Sequence, residues 1–87
     1  MTFTRVLPNG VKFRSQSQRR FIVVDASPRT VAAFNGRPLI RKRSDNMDTA
    51  RRIFWFFYRS DHSVYLVDTA GDGKVLDPVK RQWVPFS

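Results

Sequence analysis

The sequence predicts an α+β domain: an antiparallel sheet of three to five strands with one helix packed on one face. Three observations predict it. Several segments alternate apolar and polar residues with a period of two, turn signals such as Asn35-Gly36 separate them, and one segment carries apolar residues at helical spacing. With 87 residues, the chain is one domain, residues 1–87.

Residues 3–7 read as a short strand. Pro8-Asn9-Gly10 is a turn, because proline presets φ and Asn-Gly tolerates positive φ. Residues 11–14 alternate, with Val11 and Phe13 opposite Lys12 and Arg14. Ser15-Gln16-Ser17-Gln18 is a polar loop, and residues 19–26 form a strand with an apolar centre. Ser27-Pro28-Arg29 turns the chain, residues 30–34 are β-prone, and Asn35-Gly36 then signals a hairpin into a strand over residues 39–43.

A helix follows, with Asp45, Asn46 or Asp48 able to cap it. Ala50, Ile53, Phe54 and Phe57 fall on one core-facing stripe, while Arg51, Arg52 and Trp55 point away from it. Asp48 near the start and Arg59 near the end suit the helix dipole. Ser60-Asp61-His62-Ser63 ends the helix. Residues 64–67 and 74–76 are strands joined by a turn, and residues 78–87 are a tail that docks Trp83 and Phe86 on the core. The expected order is β-β-β-β-α-β-β, or one strand fewer if residues 11–14 are irregular. The expected core is Phe21 or Ile22, Val23 or Val24, and Ile53, Phe54 and Phe57. A helix on one face leaves the other face open to the basic side chains of the early strands.

Composition narrows the function. No cysteine is present, which excludes disulfides and thiolate metal sites. Eight Phe, two Trp and two Tyr supply the core area instead. The longest apolar run, residues 53–58, is far short of the roughly 20 residues a membrane span needs. Residues 1–5 lack the apolar stretch of a signal peptide, so a cytoplasmic location is expected.

Charge is the most informative feature. Sixteen Lys and Arg face seven acids, a net charge of +9. Residues 1–43 hold ten of the cations and one acid, Asp25; residues 44–87 hold six of each. A polyanionic partner is the leading inference. Twelve of the sixteen cations are Arg, which suits bidentate contact with phosphate or guanine. The spacing predicts that Arg37, Leu39, Arg41 and Arg43 share one side of a strand. Lys12 and Arg14 form a similar pair, and Arg19 and Arg20 open another strand. These seven cations, Lys12, Arg14, Arg19, Arg20, Arg37, Arg41 and Arg43, are the expected nucleic-acid-binding residues.

The order of Gly10-Val11, a basic strand, Arg19-Arg20-Phe21, Asn35-Gly36, a second basic strand and Asp48-Thr49 opening a helix resembles a known arrangement. It is similar to the three-stranded-sheet-plus-helix module of AP2-type domains and of the arm-binding domains of tyrosine integrases. The resemblance covers residues 10–57 and leaves residues 63–87 as a C-terminal hairpin and tail. It implies a sheet lying in the DNA major groove with the helix behind it. Arg51 and Arg52 stand where the family usually has Glu, and Met47 where it usually has Phe.

Other motifs have simpler readings. Asp68-Thr69-Ala70-Gly71-Asp72-Gly73 begins like a calcium loop, but Ala70 and Val79 stand where two oxygen ligands are needed. The switch-like Val67-Asp68-Thr69-Ala70-Gly71 has no companion phosphate loop. Both reduce to a hairpin turn. His62 lacks a nucleophile or metal partner and reads as a surface cap. No cofactor, metal or enzymatic activity is expected. Trp55-Phe56-Phe57-Tyr58 cannot all face one side; burial under the C-terminal hairpin is favoured over an exposed patch for a protein partner. The expected partner is duplex DNA. The rival is a small phage-type inhibitor or adaptor that binds a host protein or nucleoprotein complex through an acidic protein surface, with RNA binding as a third option.

Overall fold

The computed structural model describes residues 2–16 and 19–86. Ser17 and Gln18, half of the expected polar loop, lie outside the described residues, as do Met1 and Ser87. The architecture is α+β. Strands β1 (Phe3–Val6) and β2 (Lys12–Ser15) make a two-stranded sheet. Strands β3 (Phe21–Asp25), β4 (Leu39–Ser44), β5 (Val64–Asp68), β6 (Lys74–Asp77) and β7 (Gln82–Pro85) make a five-stranded antiparallel sheet in the order β4-β3-β5-β6-β7. Helix α1 (Pro28–Ala33) links β3 to β4, and α2 (Met47–Tyr58) links β4 to β5.

The five-stranded sheet is covered on both faces. Phe21, Val23, Leu66 and Leu76 pack with Ala50 and Phe54 of α2. Ile22, Val24 and Val67 pack on the other side with Leu7 and Phe13 of the β1–β2 hairpin. Alternation along β3 therefore feeds two cores, which explains why its four apolar residues, Phe21 to Val24, are all buried. The expectation of an open second face is corrected: the hairpin occupies it. The Asn9 side-chain amide donates to the Ala26 carbonyl at 2.9 Å, and the Arg5 guanidinium donates twice to the Asp72 carbonyl at 2.9 and 3.1 Å, tying the hairpin down at its turn and along β1.

Residues 28–33 form a helix where a turn and a β-prone segment are expected. Ser27 caps it by accepting from the Thr30 N–H, and Pro28 occupies its first turn, where a missing N–H costs nothing. Asn35-Gly36 ends this helix rather than making a hairpin. Their φ angles of 57° and 85° place both in the left-handed region, and the Gly36 N–H closes back onto the Val31 carbonyl at 2.8 Å. The positive-φ signal was legible; the element it terminates was not.

Helix α2 starts at the N-cap Asn46, whose side chain accepts from the Thr49 N–H at 3.1 Å. Ala50 and Phe54 are buried, while Ile53 and Phe57 are only half-buried. Residues 82–85 form the edge strand β7 where a tail is expected; Trp83 and Phe86 dock on the two cores as foreseen. β3, from the segment of residues 10–57, pairs directly with β5, so the N- and C-terminal parts share one sheet.

Candidate nucleic-acid interface

Lys12, Arg14 and Arg37 come together. In β2, Phe13 and Ser15 are buried against the core, so period two turns Lys12 and Arg14 outward. The left-handed pair Asn35-Gly36 brings residues 36–40 alongside β2, and Ile40 packs into the same core as Phe13. Between them lies a cleft of about 600 Å³ lined by Lys12, Arg14 and Arg37, with Phe13, Pro38 and Ile40 as apolar lining. No acid lines it. None of the three cations forms an ion pair among the described residues.

The other four cations are arranged differently. Arg19 pairs with Asp45 at 2.9 Å. Arg20 grips Asp68 with two bonds of 3.0 and 3.1 Å and stacks over the Phe21 ring at 5.0 Å. Arg41 reaches Asp25 at 3.2 Å and lies over Phe57 at 5.1 Å. Arg43 is exposed, opposite Ile22 on β3, with no ion pair among the described residues.

The expected single row of Arg37, Leu39, Arg41 and Arg43 is broken by a β-bulge. Val23 faces Lys42 and Val24 faces Ile40, which leaves Arg41 as the extra residue. Arg41 accordingly serves the helix side, with Phe57 and Asp25, while Arg43 lies opposite Ile22 on the hairpin side. Of the three strands that the family resemblance groups, β3 and β4 pair with each other and β2 pairs with β1.

The paired aspartates are electrostatically settled. Burial pushes the Asp25 carboxyl up, but the Ser27 N–H and hydroxyl, Arg41 and Asp61 together hold it below the usual carboxylate range. Burial likewise pushes Asp68 up, and hydrogen bonds from Arg20 and the Ala70 N–H, with the charges of Arg20 and Lys74, outweigh it. The Arg20 N–H and the Arg19 side chain lower Asp45. The hydrogen bond with Asp68 raises Arg20. Asp45 and Asp68 belong to the charge-balanced half of the sequence, yet they fold back onto first-half arginines 25 to 48 positions away. Nothing local in the sequence signals this pairing, nor the contribution of Pro38 and Ile40 to the cleft.

The Asp68–Gly73 segment is the β5–β6 turn, with Gly71 and Gly73 at positive φ. His62 stacks on Tyr58 at 4.6 Å. Among the described residues, no group of three or more His, Cys, Asp or Glu is placed to hold a metal ion, and no helix is long and apolar enough to cross a membrane. Compared with family models, with curated proteins and with solved structures, the chain matches none.

Proposed function

We propose that this protein binds nucleic acid, with duplex DNA as its substrate, through Lys12, Arg14, Arg37 and Arg43. The observation that carries the reading is the cleft between β2 and residues 36–40, where three cations converge without a single acid. Folded proteins with a large cationic excess normally intersperse acids on such a surface, and the described acids that pair lie elsewhere, on Arg19, Arg20 and Arg41.

The mode of contact follows from the layers. With both faces of the five-stranded sheet covered, the sheet face left to meet DNA is the outer side of the β1–β2 ribbon. There Arg14 lies opposite Thr4, and Lys12 opposite Val6. Strands sit about 4.8 Å apart and the major groove is about 12 Å wide, so a two-stranded ribbon fits it. Arg14 is then the residue best placed to read a guanine edge, while Lys12, Arg37 and Arg43 hold phosphates. Arg19, Arg20 and Arg41 serve the fold.

Salt titration of binding to a random-sequence duplex tests this. Three phosphate contacts give a log–log slope of roughly −3, because each neutralised phosphate releases counterions. No affinity at about 50 mM salt would overturn the reading and favour the protein-binding rival.

A further inference from the structure

Helix α2 presents an aromatic residue that the fold leaves uncovered. Phe56 is 66 % exposed in the last turn of a helix whose opposite face is buried by Ala50 and Phe54. Four residues before it stands Arg52 and three after it Arg59, which puts all three on one outward stripe. Both arginines are exposed, and neither forms an ion pair among the described residues, although Asp48 lies one turn before Arg52. The neighbours in the aromatic run are accounted for: Trp55 lies under Arg81 at 4.9 Å and beside Tyr58 at 5.6 Å, and Phe57 lies under Arg41. The expected burial of Phe56 under the C-terminal hairpin is thereby corrected. Its ring meets that of Phe57 edge-on at 5.3 Å and 84°.

We infer that this stripe docks an acidic protein segment that sets an apolar side chain between carboxylates. Charge selects the occupant. A second copy would bring together two chains of net charge +9, which repel. A duplex backbone offers phosphates for the two arginines but nothing apolar to cover Phe56. An acidic segment with one apolar anchor satisfies all three, and aromatic residues with Arg are the usual centres of protein interfaces. This inference does not depend on the DNA reading, since the stripe belongs to the helix layer and the cleft to the hairpin side.

The test uses the whole chain and two synthetic peptides of identical composition, rich in Glu and Leu. One gathers Leu on a single helical face; the other scatters it. The patterned peptide is expected to bind about tenfold more tightly at fixed salt, and Phe56→Ser to erase that advantage while leaving duplex-DNA affinity and the thermal melt unchanged. A double Arg52→Gln, Arg59→Gln variant is expected to weaken both peptides. Equal binding of the two peptides, no binding of either, or an advantage that survives Phe56→Ser overturns the inference. So does a single-stranded oligonucleotide whose binding falls with Phe56→Ser, which would assign the face to base stacking.

Discussion

Two positions show most directly how single side chains divide between fold and function. Gly73 sits at φ +86°, and a Cβ built there would fall inside van der Waals contact of the Phe3 ring. That ring is itself wedged edge-to-face between Phe13 and Phe86, at 6.1 and 5.8 Å, so it has little room to give. Gly73→Ala is therefore expected to cost about 2–4 kcal/mol, combining left-handed strain with overpacking, as read by chemical denaturation. A loss under about 0.5 kcal/mol would show that the hairpin is not seated on the β5–β6 turn. Arg41 is the second case. Its guanidinium supports the buried carboxylate of Asp25 and covers Phe57. Because the Arg41 side chain is 37 % exposed, solvent screening limits the loss in Arg41→Ala to about 1–2 kcal/mol. The salt slope of DNA binding should stay as in the parent; a slope flatter by about one would return Arg41 to the interface.

Elements formed by local chemistry were legible in advance, and those decided by distant contacts were not. The alternation in residues 11–14, the Pro8-Asn9-Gly10 turn, the Asn46 cap and the Ala50–Phe54 part of the stripe appear where the residues point. Helix α1 escaped because Thr30 and Val31 favour strands, and because a helix of six residues is too short to display a stripe. Its Ser27-Pro28 start was nonetheless a readable helix signal. The bulge in β4 left no mark in the sequence, since Leu39, Arg41 and Arg43 alternate as they would in a regular strand. Half of the stripe on α2 went deeper than the rest: Ala50 and Phe54 face the sheet squarely, and Ile53 and Phe57 lie toward its β4 side, where Arg41 covers Phe57. Phe54→Ala is thus the substitution that should undermine the helix layer, by about 3–5 kcal/mol. A loss near 1 kcal/mol would mean that α2 is held by its cap rather than by this core.

For the molecule as a whole, charge does two separate jobs. Asp25, Asp45 and Asp68 are all held below the usual carboxylate range in the folded state. A depressed carboxylate contributes stability above the unfolded value of about 3.9, and that contribution disappears as pH falls through the folded value. Thermal stability should accordingly be flat from neutral pH down to about pH 5 and fall below about pH 4, where three ion pairs are lost and the net charge of +9 grows. A melting temperature that rises on acidification would contradict the assigned pairings. In the proposed reading Lys12, Arg14, Arg37 and Arg43 carry the binding, and what matters is their position rather than the net charge. In sequence the excess seemed to fill the whole first half; in space Asp45 and Asp68 neutralise two of those arginines, while Lys12, Arg14 and Arg37, without an ion pair among the described residues, line one cleft. The most direct measurement compares Lys12→Ala/Arg37→Ala with Lys74→Ala/Lys80→Ala, both of which lower the net charge of +9 by two. In salt titrations against the same duplex, the first should lose about two units of slope and the second essentially none. Equal losses in the two variants would reduce the interaction to attraction by net charge and contradict a binding cleft.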